Sequence, residues 1–198
     1  MIDNCSDNFF CAQLPEPVRR RLCEHCVKTT HAQGTKLKVD ANRPWIVLDG
    51  LLISTEQGKP ASLSAPGQMN LNETFIVDAA TSLPFLDKHI EKNIDQIYYL
   101  CLRTTTLASV PNGVVHELLD DYDFLRASWN NMTQLLTILS SYTSAVYFGT
   151  AKDAVRYVVQ LAESCGIDNL THREIALMTG LNRTTVTKTM HEINLESA

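Results

Sequence analysis

A chain of 198 residues with a net charge of -5 is long enough to bury a sizeable core, and its acidic balance argues against a surface wrapped wholly in nucleic acid. The opening, MIDNCSDNFF, is acidic and polar where a signal peptide would be basic and then apolar. No apolar run approaches the roughly 20 residues that a bilayer span needs. A cytoplasmic protein with no membrane partner is therefore expected, and the six cysteines, Cys5, Cys11, Cys23, Cys26, Cys101 and Cys165, are expected to be thiols there.

In chain order, Leu14, Val18, Leu22 and Cys26 recur every fourth residue behind Pro15 and Pro17, which predicts a short amphipathic helix. From 33 to 67 short apolar pieces such as WIVL and LLIS alternate with Gly34, Gly50, Gly58 and Gly67 and with Pro44, Pro60 and Pro66. That is the punctuation of an antiparallel sheet with tight turns. Residues 69 to 95 are polar and aperiodic and receive no assignment. QIYYLCLRTTTLASV, 96 to 110, is rich in β-branched and aromatic residues and is closed by Pro111. It reads as one long strand or two joined by a kink.

From Tyr122 to Phe148 there is neither Gly nor Pro, and Leu125, Trp129, Met132, Leu136, Leu139 and Val146 advance in alternating steps of four and three, with Thr143 at the one polar position. A seam this narrow is what one helix offers another in a coiled coil. Such a helix would be roughly 40 Å long, more than a compact domain of this size covers. A core helix lying on its own β domain and a helix paired with a second copy of the chain both fit; the seam favours a homodimer. Gly149 ends this helix, and the next, with Val155, Val158, Val159 and Ala162 in register, runs to Gly166.

The tail LTHREIALMTGLNRTTVTKTMHEI encodes two helix starts. Thr171 and Glu174 form a capping box, with Leu170 and Ile175 as its hydrophobic staple. Gly180 supplies a left-handed stop, and Asn182 caps the second helix, with Leu181 and Val186 as its staple. On that helix Val186, Met190 and Ile193 share one side, while Arg183, Thr184, Thr187, Lys188 and His191 share the other. Two cations, two hydroxyls and an imidazole can donate to phosphates and to base edges in a major groove. A solvated face in an all-helical domain is the plainer reading, which the paired caps and the adjacent seam weaken.

These residues resemble the Crp/Fnr transcription regulators. The family's tail pattern is matched by Thr171, Glu174, Ile175, Ala176, Gly180, Arg183, Thr185, Val186 and Lys188. HAQGTKL, VLDGLLIS and LSAPGQ resemble its glycine-marked β-roll turns, and TTTLASVP with the helices after it resembles the approach to its dimerisation helix. The resemblance implies an α+β fold. An N-terminal antiparallel β-roll of the double-stranded β-helix, cyclic-nucleotide-binding-like type would fill 1–121, a long dimerisation helix 122–150, and a C-terminal helix-turn-helix 151–198. It implies double-stranded DNA with a near-palindromic operator as partner, a homodimer, a small-molecule effector, and RNA polymerase as a further contact. Arg183, Thr184, Thr185, Thr187 and Lys188 would be the DNA-facing residues.

There are two departures. After Pro66-Gly67 the chain reads QMNLNETFIVDAATSL instead of the cassette that holds a cyclic nucleotide, so no Arg is there to pair a cyclic phosphate and a different effector is expected. The sequence also stops five residues after Ile193, where the family continues into a β-hairpin wing, so either weaker DNA affinity or a truncated form of the sequence is expected.

An oxygen-sensing relative holds an iron–sulfur cluster, but Cys23 and Cys26 are placed on a helix and Cys101 falls short of the matching position. Core thiols are expected rather than a cluster or a redox switch, with no cofactor and no metal. A metal enzyme of the cupin type would need clustered histidines; His25, His31, His89, His116, His172 and His191 are scattered, and no catalytic activity is expected. The alternative function is a ligand- or partner-binding dimer that has lost DNA binding, which the slight acid excess after residue 151 keeps open.

Overall fold

The computed structural model describes residues 8–38, 44–56, 58–70 and 97–196. Two short helices, α1 (Phe9–Ala12) and α2 (Glu16–Glu24), lead into eight strands: β1 (Val27–His31), β2 (Lys36–Lys38), β3 (Trp45–Asp49), β4 (Leu52–Glu56), β5 (Lys59–Ser64), β6 (Met69–Asn70), β7 (Ile97–Cys101) and β8 (Thr105–Ser109). Six further elements follow. They are α3 (Asn112–Leu118), α4 (Tyr122–Thr143), a π-helical turn (Ser144–Phe148), α5 (Ala151–Ser164), α6 (His172–Thr179) and α7 (Arg183–Glu196). The strands form two antiparallel four-stranded sheets, ordered β1-β8-β3-β6 and β2-β7-β4-β5.

The run after residue 96 is thus two strands, and they lie in different sheets. Leu102, Arg103 and Thr104 carry the chain across, because the apolar side chains of β7 and β8 have to close the same interior: Tyr99 and Cys101 meet Leu107, Val47 and Leu52 between the sheets. The predicted helix at 14–26 is α2, which ends at Glu24. Cys23 lies on it and half-buried Cys26 lies beyond it, just ahead of β1, so the placement of both on one helix is corrected. The previously unassigned segment and Cys5 lie outside the described residues, except for 69 and 70 in β6.

Gly50 makes a tight turn between β3 and β4. Its φ is +96°, and a Cβ there would stand 2.5 Å from the Thr104 carbonyl oxygen and 2.6 Å from Thr105 Cα, both backbone atoms that cannot step aside. Gly50→Ala is therefore expected to cost more than about 3 kcal/mol, read as a fall in the urea midpoint with an unchanged slope.

Two apolar cores flank the roll. Phe10, Leu14, Val18, Leu22, Ile46 and Met69 join Val115 and Phe124 under the N-terminal helices. On the other side Leu51, Ile53, Leu63 and Leu102 of the roll share one core with Tyr142 of α4, Val155 and Val158 of α5, Ile175 and Met178 of α6, and Val186 of α7. The C-terminal helices are therefore packed on the β5 side of the roll rather than tethered to it.

The long helix is fixed to the roll by its own polar residues. Asn131 is buried, and its amide both accepts from the Met69 N–H at 3.2 Å and donates to the Met69 carbonyl at 2.6 Å, giving short β6 a hydrogen-bonding partner. Asp121 caps the helix start, accepting from the N–H groups of Asp123 and Phe124. The regular α-helix ends at Thr143, five residues before the unbroken run in the sequence does, and widens into the π turn. Gly149 then turns the chain where a Cβ would meet the Ala145 carbonyl oxygen at 2.5 Å.

Candidate nucleic-acid interface

Both predicted caps form. Thr171 Oγ1 accepts from the Glu174 N–H at 3.2 Å, while Glu174 Oε2 accepts from the Thr171 N–H at 2.7 Å and from its hydroxyl at 2.8 Å. Gly180 ends α6 at φ 71°, and Asn182 Oδ1 accepts from the Thr185 N–H at 2.8 Å to start α7. A further capping box, Thr150 with Asp153, starts α5 and was not read from the sequence.

The geometry sorts the faces of α7. Val186 and Thr189 are buried, and Met190 and Ile193 pack half-buried against the shared core. Arg183, Thr184, Thr187, Lys188 and His191 are exposed, and Thr185 is half-buried beside its cap. Arg183 has no side-chain partner among the described residues, and the 3.9 Å approach of Lys188 to Glu192 is a surface pair of little energetic weight. Thr187 is more constrained: its hydroxyl donates to the Arg183 carbonyl at 3.0 Å and lies 2.9 Å from His172 Nδ1. His172 opens α6 fifteen residues upstream and so joins the edge of this face, which only the folding of α6 against α7 reveals.

Glu174 is 5% exposed yet carries a carboxylate paired to Arg103 at 2.7 Å. Burial pushes its pKa up, but the Arg103 guanidinium and the two bonds from Thr171 outweigh burial and hold it below the usual value. A carboxylate with a lowered folded-state pKa contributes stability that is present above its unfolded value, about 4.3, and is lost as pH falls through the folded value. The expected result is a stability profile for α6 and α7 that holds through pH 5 and drops below about 4. Glu174→Gln should flatten that drop, as followed by hydrogen exchange against pH.

On α4, Leu125, Trp129, Leu136 and Leu139 are exposed, Trp129 at 71%, with Tyr122 at 74% beside them. Met132 is half-buried. Val146 departs from this stripe, since it packs onto the shared core of its own chain. The π turn rotates it there, a change in helical phase that the heptad spacing could not register.

A cavity of about 60 Å³ lies between the roll and α4, bordered among others by Trp45, Ser62, Gln68, Tyr99, Leu136 and Leu139. The Trp45 and Tyr99 rings meet edge to face, 5.0 Å apart. No charged side chain among the described residues borders it.

Cys11 and Cys101 are buried and Cys23, Cys26 and Cys165 half-buried. Burial raises the thiol pKa values of Cys101 and Cys165, which keeps both protonated and poorly nucleophilic. Among the described residues no group of three His, Cys, Asp or Glu side chains could hold a metal ion, and no helix is long and apolar enough to cross a membrane.

The fold has solved counterparts. FixK2 from Bradyrhizobium japonicum superposes with a TM-score of 0.64 at 12% identity, covering 87% of this chain and 86% of that one. The c-di-GMP-responsive global regulator CLP of Xanthomonas campestris does so at 0.65 and 13%, covering 92% and 93%. A transcriptional regulator of the Crp/Fnr family from Eubacterium rectale gives 0.59 and 14%, covering 93% and 86%. These superpositions establish a shared fold, the β-roll, long helix and helical C-terminal part of Crp/Fnr transcription regulators, as the tail resemblance implied. Neither a family model nor a curated protein sequence matches the chain.

Proposed function

We propose that the protein is a homodimeric, sequence-specific DNA-binding regulator that reads a near-palindromic site with α7. The observation that carries this reading is the α7 surface. A doubly capped helix-turn-helix packs one side of its second helix into a core and leaves Arg183, Thr184, Lys188 and His191 exposed on the other. Exposed cations and hydroxyls at that position can donate to phosphates and to guanine or adenine edges. The apolar stripe of α4 supports pairing with a second copy, which would present two recognition helices to successive major grooves about 34 Å apart. Selection of bound duplexes from a randomised pool is expected to return an inverted repeat with that half-site spacing. Recovery of unrelated sequences would reject sequence-specific reading.

The cavity between the roll and α4 is the effector site in this reading. Its aromatic and apolar border, with Ser62 and Gln68 as neutral polar groups, suits a small uncharged molecule, and nothing described there would pair a cyclic phosphate. Leu136 and Leu139 belong both to this cavity and to the exposed stripe, so an effector bound there would touch the surface on which the second copy sits. Mass spectrometry of the natively purified protein is the direct check on a retained ligand. RNA polymerase contact belongs to the same reading and would be tested by transcription from the recovered site.

A further inference from the structure

Arg103 lies in the link 102–104 between β7 and β8, yet what its guanidinium touches is more than sixty residues away. Nε donates to Glu174 Oε1 at 2.7 Å, and Nη2 donates to the carbonyls of Asp168 and Asn169, each at 3.2 Å. The root of the side chain is held as well. The Leu102 N–H donates to the Leu51 carbonyl at 2.8 Å, and the Thr105 hydroxyl donates to the Arg103 carbonyl at 2.8 Å. At the far end, the carboxylate that receives Arg103 is the one that completes the α6 capping box. Asn169, whose carbonyl is one of the two that accept from Nη2, has φ 58°, the one positive value for a non-glycine residue among those described.

Other ties between the roll, α4 and the helix-turn-helix are apolar or neutral ones. The Tyr142 hydroxyl donates to the Met178 carbonyl, the Tyr147 hydroxyl donates to the Pro60 carbonyl, and a Cβ at Gly180 would lie 3.5 Å from Pro60. Apolar burial resists separation but is non-directional, so by itself it leaves rotation of one layer on another weakly specified. A planar guanidinium serving three acceptors on two segments fixes that rotation, which a flexible ammonium would not do.

We infer that Arg103 is a positioning residue for DNA recognition: it sets the angle of the helix-turn-helix on the β-roll and thereby the separation of the two recognition helices in a dimer. The inference rests on the reading of α7 as the DNA-facing helix. Half-sites must lie one helical turn apart, so a helix-turn-helix free to pivot lowers the effective concentration of the second recognition helix once the first has bound. One half-site would not sense the change.

The test uses the full chain carrying Arg103→Gln, Glu174→Gln, or both. Glutamine at 174 can still complete a capping box, so α6 keeps its start. Without DNA, amide exchange in α6 and α7 is expected to rise about tenfold in either single variant and no further in the double, with α2 unchanged. Unchanged exchange in α6 and α7, or an equal rise in α2, would overturn the positioning role. With DNA, binding to the inverted-repeat duplex that the wild type selects is expected to weaken about tenfold, while binding to the same duplex cut to one half-site stays the same. Equal loss on both duplexes would assign Arg103 to the folding of the helix-turn-helix, and tighter binding would make it an inhibitory lock; either outcome rejects the inference. A wild-type chain that selects no duplex would remove the DNA reading and the purpose of the clamp with it. That failure is told apart because the exchange measurement needs no DNA.

Discussion

Leu136→Lys is expected to leave the protein folded and monomeric. Leu136 is 57% exposed in the single chain, so a lysine there has room and water, and the fold loses little. In a pair of chains joined along α4 the same position would fall within the seam, and two ammonium groups would be brought together in an apolar interface. Burying a leucine is worth about 1.5–3 kcal/mol, and each substitution acts twice across a two-fold axis. Loss of that gain, with the cost of two poorly paired charges added, should raise the dimer dissociation constant by at least about two orders of magnitude. Sedimentation velocity across a concentration series would read it, with Leu136→Ala as the milder companion. A Leu136→Lys protein that still sediments as a dimer would move the interface off α4.

The double change Arg183→Ala, Lys188→Ala is expected to abolish specific binding while leaving the dimer and its melting temperature intact. Both side chains are exposed, neither takes part in the core, and among the described residues the one ion pair lost is the 3.9 Å Lys188–Glu192 contact. A well-formed contact to a base edge discriminates by about 1–3 kcal/mol, and a dimer carries each twice. Removing both types should therefore weaken binding to the selected duplex by roughly a thousandfold or more. The wild-type affinity should fall steeply as salt rises, and the variant should show a shallower slope, since phosphate neutralisation is lost with the cations. Gel retardation and a salt titration measure both. Equal retardation of wild type and variant would remove the recognition-face assignment, and it would favour the alternative of a ligand- or partner-binding dimer.

Thr187 tempers the proposed list of DNA-facing residues. Its hydroxyl already serves the Arg183 carbonyl and stands beside His172, so DNA would compete with bonds internal to the helix-turn-helix. Thr185 is half-buried at the α7 start, where its N–H donates to the Asn182 cap. Besides Thr187, Arg183, Thr184 and Lys188 are the exposed positions of that list, with Lys188 in 3.9 Å reach of Glu192.

The elements legible in the sequence were those whose causes lie within one or two turns of chain. Thr171 and Glu174 are three residues apart, and a capping box needs nothing else; Gly180 and Asn182 act at the same range. The four-and-three spacing of Leu125, Trp129, Leu136 and Leu139 places them on one stripe of any helix, and the structure leaves that stripe exposed. The same local reasoning placed Val146 on the stripe, because spacing assumes a constant helical phase and the π turn at Ser144–Phe148 changes it. Cys26 was similarly extended onto a helix that stops at Glu24, since periodicity does not announce its own end.

What the sequence by itself determined is the inventory: strands punctuated by glycines, a long unbroken helix, two capped short ones, and a cationic face on the last. Only the tertiary structure decided that β7 and β8 part into different sheets, that the helix-turn-helix shares a core with the roll, that His172 reaches Thr187, and that Arg103 meets Glu174. The reason is range. Backbone caps and side-chain periodicity are decided by neighbours a few bonds away, whereas a contact between residues 103 and 174 exists only after two sheets and four helices have settled how their apolar faces fit together.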